Sequence, residues 1–341
     1  MARRYDYMDW LRALSIFVVV GIHVVSKIIN NTTTDDWIWH FANMFDAGLR
    51  WCVPVFFMLS GALLLTRDKE ESVSEFLKKR LSKVVIPLIF WSFIYTLYNI
   101  YELGESYTAY EILVQFLTDD IYYHLWFLYT ITGLYIMAPF LKLLVVHMDK
   151  KTFQAFLLFW IIFSCFLPFL PKFFEFELAL TPGLFEPYIG YFLLGAYLVL
   201  YPVPKKYLLP LGILAIASYF ITLWGTYYLN AGLPADEFDD FFYEHYRPNA
   251  LFITLFIFIG FQHMSKKIKP NALITRISTA TFGIYVIHPL IQIYLNKFFG
   301  LNEMTFNPII SVPLIWLLIF IISFGIILAM QKLPVVNRLV P

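Results

Sequence analysis

Charge is what this sequence has least of. Charged residues make up 14% of its 341 positions and hydrophobic ones 60%, against roughly 25% charged in a soluble domain. A water-soluble chain of this length has too small a core to hide so much apolar surface. Cysteine is scarce too. Cys52 and Cys165 lie inside apolar stretches without metal-ligand spacing and read as small core residues rather than a disulfide. No metal is expected. Linkers, low-complexity tracts and soluble appendages are missing, which leaves one membrane-embedded domain over 1–341. No segment shows the apolar–polar alternation of a membrane β-barrel strand. A formal charge of +1 offers no basic excess for nucleic acid, so no such partner is expected.

What is present is a series of long stretches that are apolar on every side. Backbone amides in lipid must be satisfied within their own segment, so these are expected to be helices. The fold class is all-α: a polytopic integral membrane protein with about ten transmembrane helices. They fall near 8–29, 51–66, 84–101, 124–146, 153–170, 187–201, 208–229, 249–264, 279–297 and 309–331. The first has a basic start, carries a histidine and lacks an Ala-x-Ala cleavage pattern, and so reads as a retained span. Stretches 30–50 and 230–248 are polar-aromatic loops with room for short interfacial helices. Of the 25 Lys and Arg, 20 fall on the N-terminal side and every second loop, Arg3, Arg4 and Lys69 among them. Cytoplasmic loops carry the Lys/Arg excess, which places both termini in the cytoplasm.

Ionisable residues inside spans are functional candidates by default. Arg12 and His23 stand 11 positions apart in the first span, about three turns and about 16 Å along one helix face. Arg12 then sits near the headgroups and His23 near mid-bilayer, with Asp9 one turn before Arg12 and able to pair with it. An interfacial anchor is the plain alternative for Arg12, and a helix-to-helix hydrogen bond for His23. A neutral imidazole can sit at that depth and still take a proton near neutral pH. A second mid-membrane histidine, His288, precedes Pro289, which frees a backbone carbonyl. At the opposite face His124 and Trp126 open the fourth span among aromatics suited to stacking on a sugar. Asp46 and Arg50 have the spacing to pair with each other. Among the basic loops, Arg80 and Lys83 belong to a cluster able to hold phosphates.

These residues resemble the membrane acyltransferase-3 family, specifically its surface-polysaccharide O-acyltransferase branch. The hallmark is an Arg and a His separated by ten residues in the first span, here Arg12 and His23. Supporting matches are Val53–Gly61, Phe76–Arg80 leading to Pro87, His124–Leu128, Gly190–Gly195 and Gly283–Pro289. Each is weak alone; together, in order and across almost the whole chain, they are specific. The resemblance implies ten spans, an acyl-CoA donor (usually acetyl-CoA) from the cytoplasm, and a hydroxyl acceptor on a cell-surface glycan or lipid-linked precursor. It also implies the bacterial plasma membrane. Some relatives carry an extracytoplasmic esterase-like domain, and none is expected here.

The expected site therefore has His23 as general base or transient acyl carrier, with Arg12 oriented by Asp9. The CoA phosphates dock on Arg80, Lys83 and Arg12, with Ser60 at the thioester or in close packing beside Gly61. His124, Trp126, His288, Asp46 and Arg50 line the acceptor side. The competing class is a glycan or small-solute transporter without transfer chemistry. Binding of CoA from the cytoplasmic side separates the two.

Overall fold

The computed structural model describes residues 6–67, 71–174, 176, 187–234 and 237–341; Arg3, Arg4 and Lys69 lie outside them. Among the described residues all regular structure is helical. In chain order the α-helices are α1 (Asp6–Ile29), α2 (Trp37–Leu49), α3 (Cys52–Leu65), α4 (Val73–Leu81), α5 (Val85–Glu102), α6 (Ala109–Thr118) and α7 (Trp126–His147). They continue as α8 (Lys150–Trp160), α9 (Leu170–Phe173), α10 (Pro187–Leu200), α11 (Leu208–Asn230), α12 (Pro248–Met264), α13 (Ala272–Phe299) and α14 (Pro308–Met330).

Eight helical stretches are long and apolar enough to cross a membrane: Asp6–Ile29, Trp37–Leu65, Val73–Glu102, Trp126–His147, Lys150–Phe173, Lys205–Asn230, Ala272–Phe299 and Pro308–Met330. The other two expected spans are the shorter apolar helices α10, of 14 residues, and α12, of 17. On α7, α11 and α14 large apolar side chains such as Phe140, Ile216 and Ile321 point outward, where only lipid can cover them at no cost. This is a polytopic helical membrane protein.

Local sequence explains the breaks. Asp36 caps α2, its carboxylate accepting from the Ile38 N–H at 2.9 Å. The stretch before Arg50, read from sequence as a loop with room for a short helix, is thus a 13-residue helix that runs almost directly into α3. Among its described residues, the corresponding stretch 231–247 holds one 3-10 turn, Phe241–Tyr243, and no α-helix. Cys52 and Cys165 are buried and free.

Helix α1 is the central post, packed against α2, α3, α13 and α14. The Trp316 indole N–H of α14 donates to the Phe17 carbonyl at 2.6 Å, and its ring stacks on Phe17 at 4.7 Å. Gly21 supplies the space into which Trp316 fits. These contacts hold the half of α1 that leads into His23. Helices α3 and α10 meet still more closely, backbone against backbone at Gly61 and Gly195.

Candidate functional site: a histidine cluster at the end of a cation-lined cleft

Helices α1 and α13 lie side by side and bring His23 and His288 together, ring centroids 5.0 Å apart. The loop before α7 adds His124, 5.8 Å from His288. His288 and His124 are buried, while His23 keeps some exposure beneath the half-exposed Tyr123, whose ring lies 5.1 Å away. Three imidazoles thus converge, and of them His23 alone is not fully buried. Tyrosines wall the cluster: Tyr95 lies 4.9 Å from His124 and donates to the Val286 carbonyl at 2.8 Å, and the Tyr285 hydroxyl donates to the His124 carbonyl. Gln292 donates to the His23 carbonyl at 3.2 Å, tying α13 to α1 at that level. Among the described residues no group of three His, Cys, Asp or Glu is placed to hold a metal ion.

Two cavities follow one another along the cleft between α3 and α7. The inner, about 210 Å³, is lined by Arg12, Phe56, Ser60, Tyr135 and Tyr285 among others. The outer, about 600 Å³, is lined by Leu64, Arg67, Arg80 and Lys142 among others. On α3 and just past it, Phe56, Ser60, Leu64 and Arg67 recur every three or four residues, which puts them on one face. On α7, Ile131 and Tyr135 face the inner cavity and Ala138 and Lys142 the outer. From Ile131 to Lys142 the cleft runs about 16 Å at 1.5 Å per residue. Tyr285 is the wall shared with the cluster, its ring 6.0 Å from His288 and 5.5 Å from His124.

Helix α4 presents Arg80 to the outer cavity, where its Nε is buried with no hydrogen-bond partner. A capping box starts the helix: Ser72 accepts from the Glu75 N–H at 3.2 Å, and Glu75 accepts from the Ser72 N–H at 3.3 Å. That engagement takes up one of the two acids in this cavity. The other, Glu71, is 3.6 Å from Lys79. Ser72→Ala is expected to destabilise α4 by about 1 kcal/mol, read as faster amide hydrogen exchange over Val73–Leu81 in detergent; unchanged exchange there would show the cap to be idle.

The structure distributes the sequence candidates unevenly. Arg12 and Ser60 share the inner cavity, Arg80 lines the outer, and Lys83 is exposed beyond both. Gly61 packs against α10 while its neighbour Ser60 faces the cavity. Asp9 accepts from the Ser278 hydroxyl at 2.8 Å, linking α1 to α13. Asp46, fully buried, pairs with Arg50 at 2.6 Å, and the Arg50 guanidinium lies 4.0 Å over the Tyr243 ring. Trp126 stands 5.3 Å from Tyr188 and 6.0 Å from His245, with the ring planes tilted by 34° and 32°. Burial, and next the nearby Arg50 charge, push the His245 imidazole down to about 3, so it is neutral at physiological pH.

Arg67, Lys142, Tyr123, Tyr285 and His245 line this arrangement without having been singled out in the sequence. Arg67 and Lys142 entered the sequence only as loop cations in the charge count; that they face one cavity depends on how α3 and α7 meet. Tyr285 lay within the matching stretch Gly283–Pro289 and Tyr123 among the aromatics beside His124, neither separable there from its neighbours, and His245 carried no signal.

Within this helical membrane protein the imidazole cluster lies behind Tyr285, the residue at which the cation-lined cleft ends. The comparison with known families is specific: the profile of the acyltransferase-3 family, described as an acyltransferase domain, matches residues 5–331. The chain belongs to that family and is a membrane acyltransferase. No curated protein and no solved structure matches it.

Proposed function

We propose that this protein transfers an acyl group, acetyl first among the candidates, from cytoplasmic acyl-CoA to a hydroxyl of a cell-surface glycan or lipid-linked glycan precursor. In this reading the chain is one membrane-embedded domain in a bacterial plasma membrane, with both termini in the cytoplasm. The observation that carries it is the cleft itself: cations Arg67, Arg80 and Lys142 at its mouth, Arg12 and Ser60 further in, and the histidines behind Tyr285. A donor with phosphates at one end and a thioester at the other matches that polarity. Charge-assisted hydrogen bonds hold the phosphates, and the narrow inner cavity takes the pantetheine arm.

The reaction needs one base. His23 removes the proton of the acceptor hydroxyl as its oxygen attacks the thioester carbon. The carbon–sulfur bond breaks, the thiolate takes the proton back from His23, and ester and CoA thiol leave. A variant acylates His23 first and passes the group on. Arg12, on the His23 face of α1 and lining the inner cavity, holds the donor where its phosphates give way to the pantetheine arm. Trp126, His124, His288, Asp46 and Arg50 belong to the acceptor side, with Tyr123 at its opening.

The test is CoA binding by calorimetry and acyl transfer to candidate glycans with purified protein. Arg67→Gln and Arg80→Gln are each expected to weaken CoA binding about tenfold, the loss of one hydrogen bond to a charged group. No CoA binding by the wild-type protein would refute the donor assignment and favour a transporter.

A further inference from the structure

Pro289 has a consequence for His288 that reaches the reacting centre. A proline in a helix has no N–H, so the carbonyl four residues earlier loses its helical donor. Here that carbonyl belongs to Tyr285, and the ring of His288 takes the vacant place: its Nδ1 is 2.7 Å from the Tyr285 oxygen and 3.2 Å from that of Ile284. Carbonyls only accept, so Nδ1 carries the proton and Nε2 is a bare lone pair. That Nε2 is fully buried, with no hydrogen-bond partner in the protein. The ring faces that of His23, 5.0 Å away with the planes 33° apart.

We infer that His288 is the positioning residue of His23: the two rings face each other without a hydrogen bond in this structure, and a turn of the His23 imidazole brings its N–H onto the unpartnered Nε2 and so fixes which His23 nitrogen is bare toward the substrate. The inference rests on the acyl-transfer reading. In a serine hydrolase a carboxylate performs this task for the catalytic histidine. The titratable rings around His288 are His23, His124 and Tyr285, and the charged groups whose fields reach His23 are His288, His124, Arg50 and His245, with no carboxylate among them. A neutral imidazole of fixed tautomer is the acceptor this apolar site offers. While His23 holds the hydroxyl proton on its substrate-facing nitrogen, His288 Nε2 accepts from the N–H on the other nitrogen and stabilises the imidazolium until the thiolate takes the first proton. Pro289 thereby does more than bend α13. It selects the tautomer of His288, and through it that of His23.

The experiment uses full-length protein in nanodiscs, with transfer kinetics and histidine 15N NMR on the same samples. His288→Phe keeps the ring volume and removes the acceptor; it is expected to lower kcat about 10²-fold with the donor KM unchanged, and to turn the single His23 tautomer into a mixture. His288→Gln, which retains an accepting oxygen, should recover part of kcat. Pro289→Ala returns an N–H to the Tyr285 carbonyl and leaves His288 in place. A purely structural role predicts an unharmed or firmer helix and unchanged turnover; the positioning role predicts a lower kcat and a mixed His288 tautomer. Wild-type kcat in His288→Phe, or a His23 tautomer indifferent to that change, would overturn the inference. Failure of the underlying reading looks different: either wild-type protein transfers nothing, or His23→Ala remains fully active.

Discussion

His23→Ala is expected to lower kcat for acyl transfer by about 10²–10⁴-fold, the contribution of a positioned general base, and to leave CoA binding intact. The separation follows from distance along the cleft. The cations of the outer cavity lie on α4, on α7 and just past α3, whereas His23 lies beyond Tyr285 at the other end. Of the three clustered histidines it alone has exposure, so it is the one a hydroxyl can meet. Its removal should spare the fold, because α1 is held by Trp316 on Phe17, by Gly21 and by Gln292 on a backbone carbonyl. Rate and binding are measured together, with thermal unfolding as the control. Radiolabel retained from acyl-CoA on wild-type protein but not on the variant would select the acyl-histidine route; no retention selects the general base. Full activity in both His23→Ala and Arg12→Ala would sink the mechanism.

The helices and the Arg12–His23 stripe were legible because both are local. A helix is written in hydrophobic runs and caps, and two residues 11 apart share a face by geometry alone. The His288–Pro289 pair was half legible. Proline's freed carbonyl follows from the sequence, but that the neighbouring imidazole would occupy it, and face His23 across a helix pair, depends on how α1 meets α13. Arg67 and Lys142 show the same limit. Each is an ordinary cytoplasm-facing cation in a charge count, and becomes a mouth residue only when α3 and α7 are set side by side. The 30–50 stretch differs for another reason. Its polar aromatics sit on a helix with buried Trp39, Asn43 and Asp46 on one face, where Asn43 bonds to the distant Tyr243 and Asp46 to Arg50 one turn on. Tertiary partners made a packed helix of a segment that looks interfacial by composition.

Closest packing lies beside the cleft rather than in it, and it sets the second large effect. At the α3–α10 crossing, a methyl on Gly61 would fall inside the van der Waals sphere of the Phe192 carbonyl oxygen, and one on Gly195 inside that of the Met58 carbonyl oxygen. Backbone cannot rotate aside as a side chain does, so accommodating either methyl requires the helices to move apart. In lipid, where helix association rests on close packing rather than on exclusion of water, that separation forfeits much of what holds the pair. Gly61→Ala and Gly195→Ala are each expected to destabilise the protein by about 3 kcal/mol, at the upper end of overpacking costs. Activity should fall with stability, because the displaced helix carries Ser60 on the cavity wall and Phe57, whose ring lies 4.5 Å from Tyr188. The control is internal. Gly133 in α7 and Gly325 in α14 have nothing within 4 Å of a built Cβ, so alanine there should be neutral or stabilise by about 0.5–1 kcal/mol through helix propensity. Unfolding in detergent, followed by tryptophan fluorescence, ranks the four variants. If Gly61→Ala melts with Gly133→Ala, the two backbones are not in contact at this crossing, and the wall that carries Ser60 is set by something other than the glycines.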